Sequence, residues 1–303
     1  MGALPVGPMK VGFVAIIGRP NVGKSTLLNR VLGRKVAIVT KKPGTTRFRI
    51  IGVLNTPEAQ VIFFDTPGVP SFDSLLSRYL KQEIDRARHG VDLVLFMTDP
   101  TPGDWVMRQD ARILSDSSSP GTRTYLLINK VDRIRKTDLL PLIDAYRSLF
   151  PFQEVFPLSA RTGENVPELL RSIEEALPDG SPYYPRDALT DQPEREFAAE
   201  LIREQVLRTT DREVPYASAV VVEDLEASSD RLHISATIFV EKESQKPILI
   251  GAKGQMVKRI GTATRRSLEK ELGVPVYLDL RVKVRKNWSR DERALREFGL
   301  ARG

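Results

Sequence analysis

Short apolar runs recur through the first ~178 residues, namely VGFVAIIG, VIFFDTPG, VDLVLFMTD, TYLLINKVD and EVFPLSA. They are rich in Val, Ile, Leu and Phe at successive positions, which predicts strands buried on both faces of a parallel sheet. Amphipathic stretches such as SRYLKQEIDRARHG, TDLLPLIDAYRSLF and VPELLRSIEEAL lie between them and predict helices. The alternation predicts an α/β, doubly wound, mostly parallel sheet domain over residues 8–178. FRIIGVLN precedes VIFFDTPG after only a short turn and predicts an antiparallel edge strand. From Leu177 to Pro193 the chain is dense in Pro, Gly and Asp and predicts a linker, bounded at 179–193. A different order follows over 194–287. EREFAAELIREQVLRTT predicts a helix, and YASAVVVEDLEA and RLHISATIFVEK predict two strands turning near Ser229 and Asp230. KPILIGAKGQMVKRIGTATRRSLEKELG predicts two helices joined by a glycine turn, and VPVYLDLRVKVRK a last strand. This is an α+β domain of order α-β-β-α-α-β, with residues 288–303 set apart as a basic tail or helix.

Composition narrows the classes. A chain of 303 residues fits two domains. The absence of cysteine excludes disulfide frameworks and thiolate metal sites, and fits a reducing cytosol. No apolar run reaches the ~18–20 residues of a membrane-spanning helix. The run Val11–Ile17 leads into a glycine loop and lacks a signal peptide's charged start and cleavage site. Of the net charge of +7, the segment 246–303 carries 15 Lys/Arg against 6 Asp/Glu, or +9, leaving the rest at −2. A near-neutral body with a basic end predicts a polyanionic partner for that end. His89 and His233 read as structural residues rather than ligands.

The first domain carries a phosphate-binding pattern. GRPNVGKS, Gly18–Ser25, fits G-x-x-x-x-G-K-[ST] between a strand and a helix. Gly18 and Gly23 let backbone N–H groups, including those of Asn21 and Val22, turn toward phosphate oxygens at a helix start that continues to Thr26. Lys24 supplies charge to the outer phosphates and Ser25 a hydroxyl to Mg²⁺. DTPG, Asp65-Thr66-Pro67-Gly68, ends the next strand, so Asp65 can hold Mg²⁺ and the Gly68 N–H can sense the terminal phosphate. Asn129, Lys130 and Asp132 form NKVD, and the Asp132 carboxylate can accept two hydrogen bonds from guanine, which adenine cannot give. Ser159, Ala160 and Arg161 can add a backbone N–H to the guanine oxygen. In KPGTTRFRI, Thr45 and Thr46 are candidates for a switch hydroxyl on Mg²⁺, with Thr46 favoured. Val69 stands where many GTPases place a water-orienting glutamine, so hydrolysis of GTP to GDP should be slow.

In the second domain GAKG, Gly251-Ala252-Lys253-Gly254, joins two helices and predicts close backbone approach to a nucleic-acid phosphate chain. Lys258, Arg259, Arg265 and Arg266 follow on the next helix, though Lys258, Arg265 and Arg266 cannot all share one face. Arg281, Lys283 and Arg285 alternate on the last strand and would share a face. The set Gly251, Ala252, Lys253, Gly254, Lys258, Arg259, Arg281 and Lys283 is the expected RNA contact of a KH-type domain.

With GRPNVGKST, KPGTTR, DTPG, NKVD, SAR, the linker YYPRDALTDQPERE and EKESQKPILIGAKG in place, nearly the whole chain resembles the Era family of bacterial GTPases. The resemblance implies a P-loop GTPase domain followed by a type-2 KH domain. It implies binding near the 3′ end of 16S rRNA and a role in 30S ribosomal subunit maturation, with nucleotide state governing RNA access. It also implies a cytoplasmic protein, read here as a monomer, with peripheral association with the inner membrane. In related GTPases of the G-x-P-N-x-G-K-S form, the asparagine at the position of Asn21 helps hold K⁺, so K⁺ joins Mg²⁺ as an expected cofactor. Lys24, Thr46, Gly68 and Asn21 then form the expected catalytic set. The competing reading is an RNA-binding adaptor in which GTP is a structural or regulatory ligand. A tRNA-modifying GTPase is disfavoured because the chain has no cysteine.

Overall fold

A computed structural model describes residues 9–47, 49–67, 90–101, 103–117 and 122–300. These form two compact units. The first holds the described residues up to Ala37 and from 49 to Asp191, and the second holds Ile38–Arg47 and Gln192 onward.

The first unit is built on a seven-stranded sheet. Its elements are β1 (Met9–Ile17), α1 (Lys24–Leu32), β2 (Ile50–Asn55), β3 (Ala59–Asp65), β4 (Leu93–Thr98), α2 (Asp104–Ser117), β5 (Arg123–Ile128), α3 (Leu139–Arg147), β6 (Glu154–Pro157), α4 (Val166–Ala176) and β7 (Asp179–Gly180). The main order is β2-β3-β1-β4-β5-β6. Strands β3, β1, β4, β5 and β6 are parallel, and β2 is the antiparallel edge the sequence predicts. The apolar runs are buried on both faces. Val14 and Ile16 join one core layer with Leu93, Leu95 and Leu127, while Ala15 and Ile17 join another with Val94, Phe96 and Leu126. Parallel strands covered on both sides leave only their ends polar, so the loops after β1, β3, β4, β5 and β6 converge on one carboxyl edge.

The segment predicted as a linker is partly packed on this unit. β7 pairs antiparallel with the start of β1, the Val53 N–H donates to Leu189 O at 2.8 Å, and Gln60 Oε1 accepts from the N–H groups of Tyr183 and Tyr184. The predicted helix SRYLKQEIDRARHG, together with Gly68, Val69 and His89, lies outside the described residues, apart from that helix's last residue, Gly90.

The second unit comprises α5 (Glu194–Thr209), β8 (Ser218–Ala227), β9 (Leu232–Val240), α6 (Lys246–Ile250), α7 (Gln255–Leu272), β10 (Val276–Val284) and α8 (Glu292–Glu297). Up to β10 this is the expected α-β-β-α-α-β order. The sheet order is β10-β9-β8, with β8 and β9 antiparallel and β9 and β10 parallel. On α7, Ile260, Thr264 and Leu268 are spaced by four and fully buried, which fixes its inward stripe against α5 and the sheet.

Residues 288–300 take the helical alternative, with α8 at Glu292–Glu297, and pack into the second unit. Trp288 is fully buried and its Nε1–H donates to Ala217 O at 2.9 Å. Phe298 packs on Phe239 and Trp288, at centroid distances of 4.8 and 5.6 Å. Removing such an indole leaves a cavity and an unmet carbonyl. Trp288→Ala should therefore destabilise the second unit by ~3–5 kcal/mol; urea denaturation followed by circular dichroism measures it, and a surface-like loss under ~0.5 kcal/mol would contradict the packing.

Candidate functional site

The loop after β1 needs a backbone that side chains would obstruct. A Cβ on Gly18, at φ 146°, would meet Met97 O at 2.1 Å, and one on Gly23, at φ 114°, would meet Asn129 Nδ2 at 2.2 Å. Asn21 takes φ 64° and is exposed, whereas Val22 is fully buried. Lys24 opens α1, and its Nζ donates to Gly18 O at 3.0 Å and Arg19 O at 2.9 Å. Burial pushes the Lys24 ammonium down to about 8, against the pull of Asp65. Ser25 Oγ donates to Asp65 Oδ2 at 2.5 Å, and Thr26 lies half-buried in the same helical turn.

Asp65 ends β3 with no exposure, and its Oδ1 has no hydrogen-bond partner. Burial pushes this carboxyl up to about 6, opposed by Lys24 and by the Ser25 hydroxyl. A buried carboxylate oxygen without a donor is costly unless something cationic meets it. Hard oxygen donors from Ser25 and Asp65 fit Mg²⁺. Thr66 spends its hydroxyl on Ile16 O at 2.9 Å, tying β3 to β1, and Pro67 is buried.

The loops after β5 and β6 form the other half. Asn129 Nδ2 donates to Val22 O at 2.6 Å, and its Oδ1 accepts from the Ala160 N–H at 2.9 Å. That N–H, a candidate for a guanine contact, is thus engaged within the protein. Lys130 sits at φ 66° and its Nζ donates to Asn21 O at 2.7 Å. Asp132 accepts from Ser159 Oγ and Arg161 Nη2, both at 2.6 Å. The Ser159 hydroxyl and then Arg161 hold its carboxyl below the usual carboxylate range. Phosphate-loop and base-recognition residues are therefore joined by direct hydrogen bonds.

Thr45 and Thr46 are not grouped with these residues. They belong to the second unit, and both are buried. Thr45 Oγ1 bonds Lys42 O at 2.6 Å and Thr40 Oγ1 at 2.7 Å, and Thr45 O accepts from Arg203 Nη2. Beside them, Arg47 donates to Ser218 O at 2.7 Å and Tyr216 O at 3.0 Å. Burial, and then Arg203, pushes the Arg47 guanidinium down to about 9.

The expected RNA-contact set divides. At the α6–α7 turn Gly251, Lys253 and Gly254 all have positive φ, and Ala252, Lys253, Lys258 and Arg259 are exposed. Arg281 and Lys283 lie on the other face of β10. Leu278, Leu280 and Val282 face the core, and Leu280 Cδ1 lies 3.5 Å from where a Cβ on Gly261 of α7 would stand. Arg281 pairs with Asp279 at 3.0 Å and Lys283 with Glu223 at 3.5 Å. Alternation groups these cations correctly, but the sheet separates them from the glycine turn. Sequence reading also missed Arg19, whose partners Asp99 and Asp110 lie 80 and 91 residues away. The available signal was an Asp at the end of the buried run VDLVLFMTD.

Residues 13–130 match the family model described as a 50S ribosome-binding GTPase, and residues 213–289 match a KH domain. The chain is 50% identical to GTPase Era of Syntrophus aciditrophicus across 96% of this chain and 95% of the relative. It is 49% identical to GTPase Era of Geobacter metallireducens, covering 96% and 98%. Among solved structures, a single-residue variant of Aquifex aeolicus Era bound to GDP·AlF4⁻ superposes with TM-score 0.91 at 42% identity, covering 97% of this chain and all of that one. Era in complex with MgGDPNP and nucleotides 1506–1542 of 16S ribosomal RNA gives TM-score 0.89 at 42% identity, with the same coverage.

Because the folded pKa of Asp65 lies above its unfolded value, the folded state holds the extra proton, and stability is lost as pH rises toward and through about 6. In EDTA at pH 8, Asp65→Asn should raise stability by ~2 kcal/mol, a gain that shrinks as the pH falls below that window. The same variant should lose the added stability that Mg²⁺ gives. Paired thermal melts at pH 5 and pH 8 measure both; a variant no more stable than its parent at pH 8 would refute the assignment.

Proposed function

The chain belongs to the Era family of GTPases, and we propose that it couples GTP binding and slow hydrolysis in its first unit to binding of the 3′ end region of 16S rRNA by its second, in assembly of the 30S subunit. The observation that carries the first half is the buried cluster of Lys24, Ser25 and Asp65 beneath a glycine loop. Lys24 holds its charge toward the outer phosphates, and the backbone N–H groups of residues 21–26 cradle the inner ones. Mg²⁺, held by Ser25 and Asp65, would supply charge neutralisation at the phosphate oxygens. Asp132 reads guanine once Arg161 yields its place, and Asn129 and Lys130 keep that loop in register with the phosphate loop. Gly68 senses the terminal phosphate, and loss of that phosphate releases it.

For the RNA half, the proposal rests on the positive-φ turn Gly251–Gly254 with Lys253, Lys258 and Arg259 exposed around it, and on the relative solved with 16S rRNA. Arg281 and Lys283 then serve a second, outer surface or none. The same proposal has the chain work as a cytoplasmic monomer with peripheral contact to the inner membrane. No helix among the described residues is long and apolar enough to cross one.

Gly254 gives the cleaner test of the turn. A Cβ on Gly251 would crowd Met256 N at 2.8 Å, whereas one on Gly254 meets nothing within 4 Å. Asn and Asp both tolerate the left-handed backbone that Gly254 adopts. Gly254→Asp should therefore weaken binding of a 16S 3′-end RNA at least ~10-fold more than Gly254→Asn, since it adds a charge where phosphate approaches. Equal affinities in the two variants would sink the RNA assignment. For the cation, Asn21 stands exposed at the loop with its carbonyl held by Lys130. GTP turnover should be several-fold faster in KCl than in NaCl at matched ionic strength, and equal rates would remove K⁺ from the mechanism.

A further inference from the structure

Behind the phosphate loop lies a buried polar cluster that joins Arg19 and Lys130 of the nucleotide-binding motifs to Thr98, Asp99, Asp110 and Tyr146 outside them. The Arg19 side chain turns inward from the loop. Its Nε donates to Asp110 Oδ1 at 2.9 Å, and its Nη2 to Asp99 Oδ1 at 3.1 Å and Thr98 Oγ1 at 3.2 Å. Asp110 stands on α2 with no exposure. Its second oxygen accepts from Thr98 Oγ1 at 2.8 Å and from Tyr146 Oη, on α3, at 2.6 Å. Asp99 also receives Lys130 Nζ, the same ammonium that donates to Asn21 O. One cluster thus draws on the phosphate loop, the end of β4, α2, α3 and the base-recognition loop.

The loop gains a defined shape from this. Lys24 Nζ has two acceptors within the loop, Gly18 O and Arg19 O. The orientation of the 18–19 and 19–20 peptides therefore sets where that ammonium stands. The Arg19 guanidinium fixes residue 19 from the interior side, and Lys130 fixes residue 21. The fully buried Asp110 carboxylate has one oxygen met by the Arg19 guanidinium and the other by the Thr98 and Tyr146 hydroxyls, so the cluster is satisfied from both sides.

We propose that Asp110 and Tyr146, acting through Arg19, are positioning residues that hold the phosphate loop in the shape that aims Lys24 at the outer phosphates of the nucleotide. This rests on the GTP-site reading above and adds a layer to it. A cluster that merely stabilised the domain would lower its melting temperature without discriminating between ligands. A positioning cluster changes how the protein responds to the phosphates Lys24 meets.

The test is nucleotide binding by the full chain with fluorescent GDP, and competition by unlabelled GDP and GMP, in the parent, Asp110→Asn, Tyr146→Phe and Gln60→Leu. Gln60 is equally buried but ties β3 to Tyr183 and Tyr184, away from the cluster. Asp110→Asn should weaken GDP binding about 10- to 100-fold, the scale of a displaced positioning contact, while the GMP constant moves far less. Tyr146→Phe should shift the same ratio in the same direction by a smaller factor, and Gln60→Leu should lower only the melting temperature. Adding Asp110→Asn to Arg19→Met should cost no further GDP affinity, since both act through one side chain. If Asp110→Asn fails to fold, Tyr146→Phe, which loses a single hydroxyl, decides alone. An unchanged GDP-to-GMP ratio in folded Asp110→Asn, or in Tyr146→Phe where it decides alone, overturns the proposal. Failure of the parent to bind GDP at all would instead overturn the GTP-site reading.

Discussion

A lysine ammonium taken out of water must be met by other groups, and the arrangement of the first unit follows from how Lys24 is met. It is 6% exposed, with two loop carbonyls as acceptors and Asp65 as the acid that most favours its charge. Burial pushes both groups toward neutrality, the ammonium down to about 8 and the carboxyl up to about 6. A phosphate anion favours the charged lysine and a divalent cation favours the charged carboxylate. Each ligand therefore relieves a cost already built into the fold, and binding is linked to stability through these two side chains. The glycines at 18 and 23 are consequences of the same constraint, because the backbone must pass against Met97 O and Asn129 to present those carbonyls.

The segment carrying Thr46 meets a different set of constraints. Ile38 joins the core of the second unit, Val39 N–H reaches Glu204, and Arg47 lies across the ring of Trp288 at 5.7 Å. Arg203 pairs with Glu200 while also donating to Thr45 O, yet its Nη1 has no partner. A buried ion pair with an unmet donor adds little net stability, although losing either member is expensive. Ten residues of the α1–β2 connection thus take their conformation from the second unit's packing. The guanidiniums of Arg47 and Arg203 hold them largely through backbone carbonyls, which the Arg fork suits.

Sequence made the first unit legible because its signals are local. Continuous apolar runs mark strands buried on both faces, and the motifs sit at their ends. It also gave the order of the second unit, whose periodicities are long enough to read. What escaped it was set by distant partners. β7 is two residues long and carries no periodicity, so its pairing with β1 was hidden in a Pro-rich stretch. KPGTTR reads as a switch loop, yet Thr45, Thr46 and Arg47 are buried, with backbone carbonyls and the Thr40 hydroxyl meeting the polar atoms of Thr45 and Arg47. Trp288 is one indole among charges, and only its packing on Phe298 and its bond to Ala217 O show that it belongs to the core. Alternation correctly put Arg281 and Lys283 on one face of β10, but which face cannot be read from a period of two.

That last point changes what the basic end can do. Of its cations, Arg265 pairs with Glu269, Arg281 with Asp279, Lys283 with Glu223, Arg285 with Asp291 and Glu297, and Arg296 with Glu292. These exposed pairs are weak, but each offsets charge that the net of +9 counts in full. Around the glycine turn, Lys253, Lys258 and Arg259 are exposed and form no ion pair among the described residues. Three such charges give a modest electrostatic hold on a polyanion. Affinity for RNA must then draw on close main-chain approach at the turn itself, which the left-handed backbone at Gly251, Lys253 and Gly254 permits. The turn's geometry, more than the charge of the segment, is what this end of the chain has to offer a nucleic acid.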